Sequence, residues 1–386
     1  KVLEKIISLP IFPDVEYKNN APIEYIPDEF IDKFFIATKA QSIHCNTLRN
    51  SNLKVVFTPL NGTGNKPIRR ILKEIGIEDL VIVKEQELPD GNFTTCPFPN
   101  PEIKEALSVG LEYCKREKPD LLLATDPDCD RVGIAVPSDN GYVLFDGNTV
   151  GALLTDYLLS ERSELGNLPQ KPVVVKTIVS TDIIFDIGKK YNADVKECLT
   201  GFKYIGQIIR ELEEKGEENR FIFGFEESYG YLAGTHGRDK DAVVASMLIC
   251  EMAAFYKAKG ISMIQARENL YTKYGYYTTV SESFYFEGES GMHIMQNIMS
   301  KLRTEKIDKI DNVTVSEYID YKNDNTGLPK SDVLSYKLEN GTKVIIRPSG
   351  TEPKLKTYCF AKCSSTESSL AMCNELLIAV KKILGV

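Results

Sequence analysis

Residues 120–136 read DLLLATDPDCDRVGIAV and contain the most informative pattern in the chain. The apolar run at 120–124 is typical of a buried strand, and the apolar run at 131–136 predicts a second strand. Between them lies a polar loop with three aspartates at alternating positions. The stretch therefore predicts a strand that delivers several carboxylates from its carboxyl end before the chain returns.

Strand-like and helix-like segments alternate on both sides of this loop, which is typical of a parallel-rich α/β sheet. The order of strand, helix, strand and glycine turn recurs after residue 172, and this repetition suggests two related α/β domains. The predicted strands are 54–58, 80–83, 120–124, 131–136, 142–145, 173–177, 194–197 and 220–223, and the predicted helices are 68–75, 101–115, 147–159, 182–191, 202–213 and 241–256.

The pattern changes to α+β after residue 275, where an aromatic extended segment begins. Asn340 and Gly341 form a hairpin signal between two apolar runs. The segments predicted here are extended chain at 276–286, strands at 333–338, 344–347 and 355–362, and helices at 291–302 and 367–384. We therefore predict an α/β fold of two successive α/β domains, with mixed sheets and helices on both faces, followed by an α+β C-terminal domain.

Composition excludes several classes of protein. The 386 residues carry a net charge of −8, which argues against a nucleic-acid-binding protein, because such proteins usually present a basic face. No apolar run reaches the roughly 18 residues of a membrane span, and the longest, 242–255, includes Glu251 and is better explained as a core helix. Nine cysteines without a C-x-x-C pair indicate reduced thiols and a cytoplasmic protein. Oligomeric state leaves no signal in the sequence.

The acidic loop predicts a metal site. Asp126, Asp128 and Asp130 can converge on one hard cation, and oxygen ligands together with cellular abundance favour Mg²⁺. An EF-hand would need glycine where Arg131 stands and glutamate where Pro137 stands, and a dehalogenase-type nucleophile loop would need threonine or valine in place of Asp130. The remaining alternative is a solvated acidic turn. Arg131 is placed to pair with a phosphate.

Two neighbouring stretches suggest recognition of a polyol. Residues 224–230, GFEESYG, place adjacent carboxylates and a hydroxyl after a predicted strand, where they can accept hydrogen bonds from sugar hydroxyls. Residues 235–241, THGRDKD, add His236, Arg238 and Lys240, which suit anion binding or proton transfer. The alternatives are an acidic turn for the first stretch and a surface histidine for the second.

Residues 347–354, RPSGTEPK, combine an arginine, two hydroxyls, a glycine and a lysine between two predicted strands, as in a phosphate cradle. The P-loop pattern is absent, and a polar turn is the alternative. Two weaker stretches precede predicted helices. In 199–203, LTGFK, Thr200 is either an N-cap or a ligand contact, and 62–66, GTGNK, is either an anion site or a turn.

Five stretches taken together resemble the α-D-phosphohexomutase superfamily, and in particular its bacterial phosphoglucomutase/phosphomannomutase branch. They occur in the family's order and span roughly residues 53–386. The resemblance implies four domains around a cleft and a reversible phosphoryl transfer between the 1- and 6-positions of a hexose phosphate through a bisphosphate. The five stretches are TPLNGTGNKPIRR, ATDPDCDRVGIAV, LTGFKYIG, GFEESYGYLAGTHGRDKDAV and RPSGTEPKLK.

The resemblance also implies cofactors and roles for individual residues. The cofactors are Mg²⁺ and glucose 1,6-bisphosphate, the latter as activator or intermediate, and the partner is a hexose phosphate rather than a nucleic acid or membrane. The implied metal ligands are Asp126, Asp128 and Asp130; the implied substrate contacts are Arg131, Thr200, Gly201, Glu226, Ser228, Arg238 and Lys240; the implied phosphate contacts are Arg347, Ser349, Gly350, Thr351 and Lys354; and Lys240 or His236 is the implied general acid or base.

One family feature is missing from the sequence. The family's first domain carries the phosphorylated serine in a T-A-S-H-N-P-like loop, and no serine here is followed by histidine. We therefore expect a mutase without its phosphoserine domain; the alternatives are a non-catalytic sugar-phosphate-binding fragment, a phosphopentomutase and, with less support, a hydrolase that uses water. The predicted division is 1–46 as linker or tail of the first domain, 47–165 as a metal-binding domain, 166–275 as a sugar-binding domain and 276–386 as a phosphate-binding domain.

Overall fold

A computed structural model describes residues 2–10, 22–44, 48–49, 51–286, 288, 290–349 and 352–386. The N-terminal part contains helices α1 (Val2–Ile7) and α2 (Asp28–Lys39). Both helices lie within residues 1–46, which the sequence predicts to be a linker or tail of the first domain. The predicted boundary between 46 and 47 lies outside the described residues.

The first α/β unit is built on a five-stranded sheet. Its order is β2-β1-β3-β4-β5, with β2, β1 and β3 parallel and the last two strands antiparallel. Strands β1 and β3 are almost wholly buried, which explains their continuous apolar sequence. The strands are β1 (Lys54–Thr58), β2 (Asp79–Ile82), β3 (Leu121–Thr125), β4 (Val132–Ser138) and β5 (Gly141–Phe145), and the helices are α3 (Asn65–Glu74), α4 (Ser108–Glu117) and α5 (Gly147–Glu164).

One helix of this unit starts later than predicted. The sequence predicts a helix over 101–115, whereas the structure has a 3-10 turn at Lys104–Leu107 and begins α4 at Ser108. Pro101 instead packs against Gly133, where an added Cβ would lie 2.9 Å from the Pro101 carbonyl oxygen. The proline therefore belongs to a loop that covers the sheet rather than to a first helical turn.

The second α/β unit repeats this design. Its four-stranded sheet has the order β7-β6-β8-β9, with three parallel strands and one antiparallel strand at the same position as β4 in the first unit. The sequence did not reveal β9 or the helix α9. The elements are β6 (Val173–Thr177), α6 (Ile183–Lys190), β7 (Asp194–Cys198), α7 (Phe202–Glu213), β8 (Phe221–Glu226), β9 (Gly230–Ala233), α8 (Ala242–Ala258) and α9 (Met263–Tyr274).

The third unit is an antiparallel sheet of order β10-β15-β14-β13-β12-β11. Two helices, α10 (Gly291–Thr304) and α11 (Thr366–Leu384), contribute to its own apolar core. The fold class of two α/β units followed by an α+β unit is thus confirmed. The strands are β10 (Tyr276–Tyr285), β11 (Lys309–Ile310), β12 (Val313–Asp320), β13 (Leu334–Leu338), β14 (Lys343–Pro348) and β15 (Lys354–Cys363).

Helix α8 joins the two α/β units. Nearly all of its residues are buried, and it packs against elements of both sheets, as expected for a core helix. Its one buried carboxylate, Glu251, accepts hydrogen bonds from the Tyr157 hydroxyl at 2.8 Å and from the backbone N–H groups of Ile43 at 2.9 Å and His44 at 3.1 Å. The buried charge thereby fixes the segment that follows α2. Within the described residues, none of the helices has the combination of length and apolarity needed to cross a bilayer.

Candidate functional site

Equivalent loops of the two α/β units meet at the carboxyl ends of their parallel strands. The acidic loop follows β3, and the loop at 227–229 follows β8, so that each connects the third parallel strand to the antiparallel strand. Arg131 forms an antiparallel β-bridge with Gly230, and the Val132 N–H donates to the Tyr229 carbonyl at 3.1 Å. The predicted metal loop and sugar loop are therefore in direct contact.

The three aspartates of the acidic loop converge. Each offers one carboxylate oxygen, and the three oxygens lie within 4.8 Å of one another. The loop is shaped by Asp126 Oδ1, which accepts the backbone N–H groups of Asp130 at 3.0 Å and Arg131 at 2.9 Å. Cys129 adopts the left-handed conformation, with φ at 61°. This geometry matches the predicted oxygen-ligand cluster.

The stretch at 62–66 supports the acidic loop from behind. Thr63 donates its backbone N–H at 2.8 Å and its hydroxyl at 3.0 Å to the Pro127 carbonyl. A Cβ at Gly62 would lie 2.3 Å from the Cα of Pro127, so only glycine allows this approach. Of the two interpretations of this stretch, the turn is the one that these contacts favour.

Asp126 is the buried aspartate of the acidic loop, and its negative charge is disfavoured by burial and by its two neighbours. Burial, with added repulsion from Asp130 and Asp128, raises the pKa of Asp126 to about 7. The Lys240 ammonium offsets part of this charge, because its Nζ lies 2.7 Å from Asp130 Oδ2. A bound divalent cation would relieve the remaining repulsion, and the donor set therefore fits Mg²⁺.

Arg131 has an acidic partner that the sequence did not reveal. Its Nη1 lies 3.1 Å from Glu102 Oε1, while its Nε lies 3.6 Å from Asp130 Oδ1 and 3.7 Å from Asp126 Oδ2. Glu102 lies in the proline-rich turn before α4, where no periodicity or motif marks it. Its carboxylate orients the guanidinium at the edge of the acidic loop.

Glu226 links the sugar loop to the stretch at 199–203. The buried Glu226 accepts the Gly201 N–H at 2.7 Å, and burial raises the pKa of its carboxyl group. Gly201 has φ at 121°, where a side chain would be strained, and it is the residue that precedes α7. Thr200 is not the N-cap, and its hydroxyl oxygen is buried without a hydrogen-bond partner. The predicted N-cap role of Thr200 is therefore wrong, and its role as a ligand contact stays a prediction.

The loop at 235–241 separates its three predicted cationic groups. His236 Nε2 lies 3.0 Å from Asp241 Oδ2, and Asp241 also caps α8 by accepting the Val243 N–H at 2.8 Å. Lys240 points to the acidic loop; burial opposes its charge, but the hydrogen bonds that it donates to Asp130 and Asp239 raise its pKa. Arg238 is exposed and pairs with Glu213 on α7, away from Asp130.

The predicted phosphate cradle connects β14 to β15. The Ser349 N–H donates to the Lys354 carbonyl at 2.7 Å, and Lys354 Nζ lies 2.8 Å from Glu352 Oε2. Arg347, at the end of β14, holds its Nε buried without a hydrogen-bond partner. Gly350 and Thr351 lie outside the described residues.

Several buried polar atoms of these motifs lack hydrogen-bond partners within the described part of the chain. Buried polar groups in folded proteins are nearly always paired, so such atoms mark places where a ligand can bind. Ser228, the other predicted sugar contact, is half-buried in the loop between β8 and β9. The atoms in question are Thr125 Oγ1, Asp130 Oδ1, Arg131 Nε, Thr200 Oγ1, His236 Nδ1 and Arg347 Nε, of which Asp130 Oδ1 and Arg131 Nε lie 3.6 Å from each other.

Family models match most of the chain. They are described as phosphoglucomutase/phosphomannomutase alpha/beta/alpha domain II, over residues 29–140, alpha/beta/alpha domain III, over 146–274, and the C-terminal domain, over 299–372. The three matches follow the order of the three structural units and include every motif described above.

Individual proteins give the same result. A phosphoglucomutase of Staphylococcus aureus is 34% identical over 341 residues, which are 85% of this chain and 60% of that protein. The phosphoglucomutase of Staphylococcus haemolyticus is 37% identical over 320 residues, covering 80% of this chain and 57% of the relative. The crystal structure of a candidate phosphomannomutase from Thermus thermophilus superposes with a TM-score of 0.66 at 21% identity, covering 92% of this chain and 66% of that one. The chain thus spans about 60% of the length of these curated relatives.

Proposed function

The chain belongs to the phosphoglucomutase/phosphomannomutase family, and from this premise we propose that it forms the metal-, sugar- and phosphate-binding part of a phosphohexomutase. One observation carries the proposal. The acidic loop and the sugar loop are joined by the bridge between Arg131 and Gly230, and the predicted binding motifs contain buried polar atoms that make no hydrogen bond within the described residues. A ligand with both a phosphate and hydroxyl groups would satisfy these atoms.

Asp126, Asp128 and Asp130 would hold Mg²⁺. The bound ion would neutralise negative charge on a transferring phosphoryl group. Arg131, oriented by Glu102, would present its guanidinium to the same phosphate. Lys240 remains protonated beside Asp130, so that it would act as an electrostatic partner or general acid rather than as a base.

The sugar and its second phosphate would be held by the other loops. Glu226 and Ser228 would accept and donate hydrogen bonds to ring hydroxyls, with Thr200 and Gly201 beside them. Arg347, Ser349 and Lys354, together with Gly350 and Thr351, would hold the phosphate that does not react. His236, whose Nε2 is held by Asp241, would exchange the proton of the reacting hydroxyl.

The proposed reaction moves a phosphoryl group between the 1- and 6-positions of a hexose phosphate, with glucose 1,6-bisphosphate as intermediate or activator. A phosphoserine must supply the first phosphoryl group, and no serine-histidine loop occurs in this sequence. The chain alone would therefore bind the sugar phosphate without turning it over, and a pentose phosphate is the alternative substrate. A cytoplasmic location is supported by the cysteines within the described residues, all of which are unpaired thiols.

A calorimetric titration of glucose 1-phosphate into the chain, with Mg²⁺ present, tests the binding part of this proposal. We expect saturable binding that Arg347→Ala weakens for both glucose 1-phosphate and inorganic phosphate, whereas Ser228→Ala weakens only the former. Arg116→Ala is the matched control, because Arg116 is an exposed arginine whose partner is Glu117 on α4. If neither ligand binds, or if Arg116→Ala has the same effect as Arg347→Ala, the proposal fails.

A coupled assay tests the catalytic part. The chain is incubated with glucose 1-phosphate, Mg²⁺ and catalytic glucose 1,6-bisphosphate, and the formation of glucose 6-phosphate is followed. We expect no product from the chain alone. Product formation would mean that another residue accepts the phosphoryl group. In the binding titration, ribose 1-phosphate in place of glucose 1-phosphate separates the pentose alternative from the hexose proposal.

A further inference from the structure

We propose that Tyr358 and Glu227 form a positioning pair that couples the phosphate cradle to the sugar loop. This inference rests on the proposed function, because it assigns a role in binding the same sugar phosphate. Neither residue is among the predicted substrate contacts. Each acts through the loop or strand that carries it, so both are positioning residues.

The contact crosses two structural units. Tyr358 lies on β15 and is fully buried, and its hydroxyl donates to Glu227 Oε1 at 3.2 Å. The other oxygen of Glu227 accepts the Thr177 hydroxyl at 3.5 Å, at the carboxyl end of β6. One carboxylate therefore touches the second α/β unit with one oxygen and the C-terminal unit with the other.

Both ends of the contact are close to predicted ligand-binding residues. Glu227 stands between Glu226 and Ser228, the two predicted sugar contacts. Tyr358 is two residues beyond Lys356, which pairs with Arg347 in the β14–β15 ladder, and residues two apart on a strand share one face. A shift of the cradle along this strand would therefore displace the sugar loop.

The two adjacent glutamates contact different structural units. Glu226 is buried and holds the Gly201 N–H, so its contact stays within the second unit. Glu227 is only half-buried and reaches the C-terminal unit. The two adjacent glutamates thus connect the sugar loop both to its own unit, through Glu226, and to the C-terminal unit, through Glu227.

Breaking this hydrogen bond is energetically costly because its donor is buried among apolar side chains. Tyr358 belongs to an apolar cluster between the two units that includes Ile178, Val179 and Ile345. Burial keeps the pKa of Tyr358 far above its usual range, so the hydroxyl remains a donor. A buried hydroxyl without a partner is costly, and any arrangement that separates the units must expose it or pair it elsewhere.

The interface also contains ion pairs that do not reach the sugar loop. Lys343 Nζ lies 2.7 Å from Asp182 Oδ2, and the wholly buried Lys176 lies 3.1 Å from Asp182 Oδ1 and 2.7 Å from Glu197 Oε1. Of these three pairs, Lys343–Asp182 crosses from the C-terminal unit to the second unit, whereas both pairs of Lys176 lie within the second unit. The Tyr358–Glu227 bond is distinct because its acceptor lies inside the sugar-binding motif.

The test compares two ligands on the whole chain. Calorimetry with glucose 1-phosphate reports the sugar loop together with the phosphate-binding groups, whereas inorganic phosphate reports the phosphate-binding groups at Arg131 and Arg347 without the sugar loop. We expect Tyr358→Phe to lower the affinity for glucose 1-phosphate by about three- to tenfold, the worth of one hydrogen bond, and to change the affinity for phosphate by less than about twofold. Tyr336→Phe is the matched control, since this buried tyrosine on β13 donates to the Leu302 carbonyl at 3.3 Å.

A second set of variants separates positioning from simple destabilisation. Glu227→Gln keeps an oxygen acceptor and should bind nearly as the original chain does, whereas Glu227→Ala, which also loses the contact with Thr177, should weaken binding at least as much as Tyr358→Phe. The double variant should be no weaker than Glu227→Ala, because that single variant already removes the Tyr358 bond. Equal losses for both ligands, additive losses, or no loss in Tyr358→Phe would overturn the inference. Failure of the unaltered chain to bind glucose 1-phosphate would overturn the proposed function itself, and this inference with it.

Discussion

The substitution Asp126→Asn should stabilise the metal-free protein and at the same time abolish its stabilisation by Mg²⁺. The amide oxygen can still accept the two backbone N–H groups that shape the loop, at 3.0 and 2.9 Å, while the buried negative charge disappears. Two unit charges 4.8 Å apart repel by about 3.5 kcal/mol at an effective dielectric constant of about 20. Because Asp128 is exposed and Lys240 pairs with Asp130, we expect a gain of about 2 kcal/mol.

The gain should depend on pH in a defined direction. Burial and the neighbouring aspartates raise the pKa of Asp126 from 3.8 to about 7 in the fold. A carboxyl whose pKa is raised on folding lowers stability as pH rises from its unfolded to its folded pKa. The advantage of Asp126→Asn should therefore be small near pH 4 and complete above pH 7. In the unaltered chain, saturation with Mg²⁺ to about 100 times its dissociation constant adds about 2.7 kcal/mol.

Urea unfolding with EDTA or with Mg²⁺, at about pH 5 and about pH 8, measures both effects. Asp139→Asn is the matched control, because Asp139 is an exposed aspartate in the hairpin turn of the same unit. It should change neither the metal-free stability nor the response to Mg²⁺. The reasoning is refuted if Asp126→Asn is less stable than the original chain in EDTA at the higher pH, or if it retains the full response to Mg²⁺.

Three further predictions concern stability. Lys176→Met should destabilise the chain by about 1.5–3 kcal/mol in urea unfolding, because it removes the buried partner of Glu197, whereas Asp182 keeps Lys343; a loss below about 0.5 kcal/mol would contradict this. Burial alone would raise the pKa of Asp182, but Lys176 and Lys343 lower it from 3.8 to about 2. The free energy of unfolding should therefore fall by about 1–2 kcal/mol between about pH 4 and pH 2. Asp182→Asn should remove this dependence of stability on pH. Glu251→Ala should cost about 3 kcal/mol and speed proteolysis in the segment after α2, while unchanged cleavage there would show that this carboxylate does not hold the segment.

The sequence predicted the elements best where turn residues and apolar runs changed sharply. Strands 54–58 and 173–177 and helix 202–213 have the predicted bounds, since each is a compact apolar or amphipathic run next to glycine or proline. Helix α9 and strand β9 were missed. Neither follows a clear apolar period, because each takes its burial from contacts with other elements rather than from its own pattern.

In the candidate site too, features encoded by a local pattern could be predicted and long-range contacts could not. The convergence of the three aspartates could be predicted because they alternate within one short loop, and their role as metal ligands stays a prediction. The family prediction from the five motifs is confirmed by the family models. Glu102 and Tyr358 could not be found, because their partners are 29 and 131 residues away and no local pattern encodes such distances. The ion pair between Arg238 and Glu213 likewise depends on where the tertiary structure places the end of α7.

The shared strand order of the two α/β units explains why carboxylates are concentrated where the two units meet. Each unit places a carboxylate-bearing loop after its third parallel strand, and the bridge between Arg131 and Gly230 brings the two loops together. The carboxylates of these loops would repel one another and any phosphate unless cations were near. Arg131 supplies one cation from the acidic loop itself, Lys240 comes from the loop before α8, and Arg347 comes from the C-terminal unit. Since Arg347 belongs to a separate unit, the proposed phosphate binding would depend on how that unit is docked, and the contact between Tyr358 and Glu227 reports that docking.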